Sequence, residues 1–274
     1  MTPQLSVIIP ASNEAGYIGA CLTDLFASGP VNAECIVVAN GCRDATAKVA
    51  QGYATRAKAA GWQLEVLDLS QGGKPNALNA GDQIAKAAMR AYLDADVIVS
   101  PDLMTELIAA LSVDHPRYAT GTAHIPRAKS AVTRAYARFW QRLPFAQSPA
   151  PGYGLFAVNA AGRARWSDFP GIISDDTFVR LQFEPKERVQ VPASYEWPMI
   201  EGFAALTKVR RRQDAGVAEI DRLYPGLLAR EAKVPLTKQR LLALALRDPI
   251  GFATYAAVSL AVRLKRGQGW SRGR

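Results

Sequence analysis

Apolar and polar positions follow a regular order along the first hundred residues. "LSVIIPA", Leu5 to Ala11, is a continuous apolar run rich in β-branched residues, the pattern of a parallel strand covered on both faces. Ser12-Asn13-Glu14 supplies cap-type residues, and Ile18, Leu22 and Leu25 then recur at helical spacing within Ala15 to Ser28. "ECIVVANG" predicts a second strand ending at Asn40-Gly41. "DATAKVAQGYATRAKAAG" predicts a second helix, opened by Asp44 as N-cap and stopped at Gly61. "LEVLDL", "KPNALNAGDQIAKAAM" and "RAYLDADVIV" predict strand, helix and strand again. This alternation predicts an α/β fold: a mostly parallel sheet flanked by helices, with a Rossmann-like half over residues 1–113.

Residues 114–229 have a weaker rhythm. "RAYARFWQRLPFA" reads as a helix and "PAPGYGLFAVNAAG" as a Gly-punctuated loop leading into a strand. "GIISDDTFVRLQF" reads as a turn that becomes a helix at Asp175-Asp176. The prolines of "VQVPASYEWPM" suit an edge strand or a connection. "EGFAALTKVRRRQDAG" predicts a helix ending at Gly216. Residues 230–274 form a tail of two apolar helical segments split at Asp248-Pro249. The second has fourteen residues between Asp248 and Arg263, short of the roughly 20 that cross a bilayer, so it predicts an interfacial helix.

Composition narrows the class. With 274 residues, 49% of them hydrophobic and 21% charged, the chain is globular and long enough for a domain over 1–229 plus the tail. The tail holds ten Lys/Arg against two acids, a net +8 of the chain's +9. A body left at +1 does not suit a nucleic-acid partner; a basic apolar tail suits an anionic membrane surface. Cys21, Cys35 and Cys42 form no CxxC and read as free thiols. Two histidines, His115 and His124, in no ligand spacing argue against a His-built metal site. "MTPQLSVIIP" lacks the pattern of a secretory signal. The expectation is a cytoplasmic protein, peripheral on the inner face of the cytoplasmic membrane.

In α/β sheets ligands bind beyond the carboxyl ends of the strands. Those ends carry Pro10-Ala11-Ser12-Asn13-Glu14, Asn40-Gly41, the Gly72-Gly73-Lys74 loop and Asp94-Ala95-Asp96. No Lys or Arg stands within three residues of Asp94 or Asp96 to pair with them. Two apart on an extended strand, the acids would share a face, and their repulsion calls for a cation. Mg²⁺ or Mn²⁺ fits oxygen ligands and substrate phosphates; alone, the pair also suits solvated acids at a strand end. Lys74 after two glycines resembles a phosphate loop, but Asp68 and Pro75 occupy the Gly and Ser/Thr positions of a Walker A. Asp175 and Asp176 fit either a helix cap or a general base.

Taken in order, "SVIIPASNEAGYIGACLTDL", "IVVANGCRDAT", "GGKPNALNAG", "YLDADVIVSPD", "SDD" and "RRR…G" resemble the nucleotide-sugar-dependent glycosyltransferases of family 2, with the GT-A fold. The resemblance spans roughly Leu5 to Gly216. It implies a nucleotide-sugar-binding half and an acceptor half. Asp94 and Asp96 correspond to the DxD motif that holds a divalent ion against the donor diphosphate, Asp96 more directly. Pro10, Ala11, Asn13 and Glu14 lie where such enzymes cradle the nucleoside, Asn40 stands where many carry an aspartate near the base, and Lys74 matches a lysine near the nucleotide. Asp176 corresponds to the catalytic base, Asp175 to the acid before it, and Arg212 to the arginine of QxxRW. Val209 and Gln213 replace the Gln and Trp of that motif, which argues against processive polymerisation. Gly152, Tyr153 and Gly154 fall on the acceptor side. The implied reaction is an inverting transfer to a saccharide or lipid-linked acceptor in cell-envelope or polysaccharide biosynthesis. The competing readings are a sugar-phosphate nucleotidyltransferase, whose Gly- and Arg-rich first loop is replaced here by "PASNEAGYIG", and a non-catalytic basic protein binding nucleic acid or lipid.

Overall fold

The computed structural model describes residues 2–29, 31–232 and 234–264. The predicted basic tail therefore continues, over 265–274, outside the described residues. The chain forms two compact units: Met1–His124, Gly152–Gly171 and Asp175–Trp197 make the first, and Ile125–Pro151, Ile172–Ser174 and Pro198–Arg274 the second.

The first unit is built on one sheet of β1 (Leu5–Ala11), β2 (Ala33–Asn40), β3 (Gln63–Leu69), β4 (Met89–Leu93), β5 (Ile98–Val99), β6 (Tyr118–His124), β7 (Leu155–Val158) and β8 (Arg188–Glu196). Their spatial order is β3-β2-β1-β4-β7-β6-β8-β5. The run from β3 to β4 is parallel. β7 then joins β4 antiparallel, and the remaining strands make the sheet mixed. Every residue of β2, and all of β1 except Pro10, is buried. Strands covered on both faces read as near-continuous apolar runs, which is why no alternation marks them; the buried polar residues are paired, the Ser6 hydroxyl donating to Glu34 Oε1 at 2.6 Å. β3, at the edge, never becomes fully buried.

Helices α1 (Ile18–Leu25), α2 (Thr46–Gln51), α3 (Ala54–Ala59), α4 (Lys74–Ile84) and α5 (Leu103–Leu111) accompany the first strands. α1 buries Ile18, Leu22 and Leu25, the positions its spacing predicted, and Cys21 with them. α4 lies flush on β1, for a Cβ at Gly81 would come within 2.5 Å of Ile8 Cγ2. α6 (Ala131–Trp140) belongs to the second unit, while α7 (Ala160–Arg163) and α8 (Asp175–Arg180) belong to the first.

Three elements differ from expectation. The helix expected from Asp44 to Gly61 is two helices broken at Gly52-Tyr53, where the Tyr53 hydroxyl meets Thr23 Oγ1 at 3.1 Å. β8 is neither edge nor connection. It lies between β6 and β5, and its register with β6 shifts between Gln190 and Ser194, an irregularity that accommodates Pro192 within a paired strand. The helix expected to end at Gly216 continues as α9 (Phe203–Leu223). There Gly216 answers packing, since a Cβ would overlap Ser174 Oγ.

In the second unit, α10 (Lys238–Arg247) and α11 (Pro249–Leu264) follow α9, and α11 packs on α6 and α9. Tyr136, Leu206 and Val258 form its small core. At the predicted break, buried Asp248 accepts from Arg138 Nε and Nη2, both at 2.7 Å, from Arg142 Nη1 at 3.2 Å and from the Gly251 N–H at 3.0 Å. Among the described residues no helix is long and apolar enough to cross a membrane.

Candidate active site

The two acids of "LDADVIV" do not lie on a strand. β4 ends at Leu93, Asp94 to Val97 turn, and β5 resumes at Ile98 to pair with β8. The Asp94 N–H donates to the Gly154 carbonyl at 2.8 Å, and the Val97 N–H donates to the Asp94 carbonyl at 3.2 Å. Strand alternation therefore does not set the direction of the carboxylates; the turn does. Both charges still act on one neighbour, Cys21. Burial pushes the Cys21 thiol upward, and the Asp96 and Asp94 charges push it further. Cys21 and Cys35 are buried and free.

The cation that the sequence around Asp94 lacks comes from α4. Gly73, at φ +133°, turns the chain into the helix, a conformation glycine adopts readily. Lys74 Nζ then sits 2.9 Å from Asp94 Oδ1 and 3.1 Å from Asp175 Oδ2. Asp175 and Asp176 occupy the first turn of α8. Burial pushes the Asp175 carboxyl up; Lys74 pulls it down, Asp176 and Asp94 push it up again, and it settles at about 6. Burial works against the Lys74 charge, but Asp175, Asp94 and Asp176 outweigh it and hold the ammonium protonated.

Pro10, Lys74, Asp94, Gly152, Gly154, Asp175 and Asp176 line one hollow, with Tyr92 and Phe156 in its wall. Its volume is about 10 Å³, room for about one water. Gly152 and Gly154 have φ of +72° and +68°. A Cβ on Gly152 would overlap the Tyr118 hydroxyl, and one on Gly154 would lie 2.8 Å from Trp197 Cδ1. The loop can approach this closely only as glycine.

The loop after β1 is laced to the loop after β2. Arg43 N–H donates to Asn13 Oδ1 at 2.8 Å, Glu14 N–H to Thr46 Oγ1 at 2.8 Å, and Ala15 N–H to Asp44 Oδ2 at 3.1 Å. Hydrogen bonds, from the Thr46 side chain first, hold the Asp44 carboxyl below its usual range. Asn40 is 2% exposed. Its Nδ2 donates to the Ala11 carbonyl at 2.9 Å and the Val38 carbonyl at 3.3 Å, and its Oδ1 accepts the Gly73 N–H at 2.9 Å. This side chain ties three segments together and directs its polar atoms at backbone.

The fold thus gathers Pro10, Lys74, Asp94, Asp175, Asp176, Gly152 and Gly154 at one hollow. Ala11, Asn13, Glu14 and Asn40 stand at the ends of β1 and β2, and Arg212 lies on α9 of the second unit. The sequence assigned no role to Tyr92 or Asp82. The Tyr92 hydroxyl donates to Asp82 Oδ1 at 2.9 Å, and Arg163 Nε pairs with Asp82 Oδ2 at 3.0 Å, bracing the wall behind the acids. The signal for them was position: Tyr92 stands two residues before Asp94.

This arrangement matches a known class. The sequence profile described as Glycosyl transferase family 2 matches residues 6–165, more than half of the chain. The protein belongs to glycosyl transferase family 2, with the GT-A fold. It is 28% identical over 107 residues to EpsJ of Bacillus subtilis (strain 168), an uncharacterized glycosyltransferase; the match spans 39% of this chain and 30% of that protein. The mannosyltransferase PcManGT from Pyrobaculum calidifontis, solved with GDP-Man and Mn²⁺, has a TM-score of 0.63 at 18% identity, over 98% of this chain and 77% of that one. Glucosyl-3-phosphoglycerate synthase from Mycobacterium tuberculosis, solved with Mn²⁺, UDP and glucosyl-3-phosphoglycerate, has a TM-score of 0.52 at 20% identity, over 85% and 81%. At these identities the likeness to the solved structures is one of fold.

Proposed function

We propose that the protein is an inverting, non-processive glycosyltransferase moving a sugar from a nucleoside-diphosphate sugar to a hydroxyl of a saccharide or lipid-linked acceptor, in cell-envelope or polysaccharide biosynthesis. The observation that carries this reading is the cluster of Asp94, Lys74, Asp175 and Asp176 in one hollow at the carboxyl end of the sheet. The nucleotides in the two structural relatives, the donor GDP-Man in one and the nucleoside diphosphate UDP in the other, support the donor class.

The residues fit a divalent ion. Asp94 and Asp96 offer hard carboxylate oxygens, and Lys74 engages one of them, Asp94 Oδ1. Among the described residues no group of three or more His, Cys, Asp or Glu side chains could enclose a metal. One or two carboxylates, completed by water and substrate phosphates, is the way Mg²⁺ is commonly held. When bound, such an ion supplies positive charge to the leaving diphosphate. Lys74 holds Asp94 and Asp175 in place and keeps its own charge beside them. Asp176 takes the proton of the acceptor hydroxyl as that oxygen attacks the anomeric carbon. The bond from that carbon to the diphosphate breaks and its electron pair leaves with the diphosphate, so one displacement inverts the configuration.

Peripheral membrane contact through 230–274, on the inner face of the cytoplasmic membrane, is supported by the outer surface of α10 and α11. Leu246 and Ile250 are 76% and 69% exposed there, among the basic residues Lys238, Arg240, Arg247 and Arg263. Because α11 carries core residues, the test is Leu246→Glu with Ile250→Glu, read by co-sedimentation with anionic vesicles, not a truncation. Undiminished sedimentation would refute it. For the chemistry, a panel of nucleotide sugars with Mn²⁺ or Mg²⁺ should show nucleoside diphosphate release that chelation stops and Asp176→Asn suppresses. Intact donors throughout, with wild type and Asp176→Asn alike, would refute transfer.

A further inference from the structure

We infer that Tyr153 and Trp197 form a stacking platform for the ring of a saccharide acceptor, an inference that rests on the transfer reading and names its acceptor class. The two rings stack with centroids 5.0 Å apart and planes at 24°. Both residues are partly exposed, although paired aromatics of this size usually bury their faces in a core. An aromatic pair that rests on the core with Trp197 and keeps part of its surface in solvent is suited to packing something that arrives from solution.

Its position is tied to the acids. Tyr153 stands between Gly152 and Gly154, which line the hollow with Asp94, Asp175 and Asp176. The Gly154 carbonyl accepts the Asp94 N–H at 2.8 Å. Trp197 closes on the same glycine, and its backbone N–H donates to the His124 carbonyl at the end of β6 at 2.7 Å. The aromatic pair and the carboxylates are therefore held to one another through backbone.

The sheet order decides which ligand meets the pair. β1 and β2, whose ends carry Ala11 to Glu14 and Asn40, lie on one flank of β4; β7, with its entry loop 152–154, lies on the other. A nucleotide over the ends of β1 and β2 places its sugar–diphosphate junction at Asp94 and leaves the β7 flank to the attacking molecule. A pyranose ring presents a flat patch of C–H bonds polarised by its oxygens, and such hydrogens pack on the electron-rich faces of indole and phenol rings. A saccharide is therefore the acceptor that uses both features of this flank, stacking on the aromatics and offering a hydroxyl to Asp176.

The test is saturation-transfer NMR on the full chain with Mg²⁺ and UDP or GDP, irradiating aromatic resonances. The probes are the methyl glycosides of glucose, galactose, mannose and N-acetylglucosamine, and a short-chain polyprenyl phosphate. Saturation should reach the ring hydrogens of at least one glycoside. Trp197→Ala should weaken that glycoside about three- to ten-fold, and Trp197→Phe should retain part of the effect, which keeps the test valid if the alanine variant fails to fold. If no glycoside receives saturation, if wild type and both variants bind alike, or if transfer reaches only the polyprenyl chain, the platform is refuted. Donor release is read separately. Release without glycoside contact overturns the platform alone, whereas glycoside contact without release overturns the transfer reading and leaves a saccharide site.

Discussion

Replacing Asn40 tests how the loops after β1, β2 and β3 are held together. Its amide makes three hydrogen bonds, to Ala11, Val38 and Gly73. In Asn40→Ala, the Val38 carbonyl remains within the paired strands β1 and β2 and Ala11 keeps a long contact from Cys42 Sγ at 3.6 Å. The main losses are at the Gly73 N–H and the Ala11 carbonyl. The Ala11 carbonyl is buried and Gly73 only partly so; an orphaned buried polar group costs about 1–3 kcal/mol, so the variant should lose about 1–4 kcal/mol, a sizeable part of a typical stability of about 5–15 kcal/mol. Urea denaturation should show a lower midpoint at an unchanged slope. A loss below about 0.5 kcal/mol would refute the clamp, since surface substitutions already span that range.

Asn40→Asp makes the same argument through pH. The shape is kept, but an ionised carboxylate has no proton to give and would face the Ala11 and Val38 carbonyls at a site 2% exposed. Its folded pKa must rise above the unfolded value of about 4. The cost of ionisation then grows as pH climbs from about 4 and is complete above the folded pKa. Below about 4 the protonated acid can donate again, so the deficit relative to wild type should shrink there. A deficit independent of pH would contradict this.

Two further outcomes follow from the ion pairs. Lys74→Met leaves Asp94 and the buried Asp175 without their shared cation; stability should fall by on the order of 1–3 kcal/mol, and donor turnover by about 100-fold or more, so wild-type turnover in the release assay would remove Lys74 from the site. Arg138 first, through its hydrogen bonds, holds the Asp248 carboxyl below its usual range. Its stabilisation is present above the unfolded pKa of about 4 and is lost as pH falls through the lower folded value. The thermal midpoint of wild type should therefore drop more steeply below about pH 4 than that of Asp248→Asn, and parallel profiles would refute this.

The amino-acid sequence by itself determined β1, β2 and β3, the helices that follow β1 and β3, and the family. Buried parallel strands such as β1 and β2 need unbroken apolar runs, and motifs such as "LDAD" and "GGKPN" survive as short local strings. It also located the break at Asp248-Pro249, because proline cannot continue a helix. What it left undecided depended on partners distant along the chain. Lys74 is the countercharge of Asp94 and Asp175 only because α4 and α8 begin beside the end of β4. The turn at Asp94 exists because β5 leaves β4 to pair with β8. Asn40, expected from the resemblance beside the nucleotide, is a clamp because Gly73 and Ala11 converge on it. Hydrophobic periodicity reports which face of an element is covered; which charged or polar group meets another is set by sheet order, and only the tertiary structure carries that.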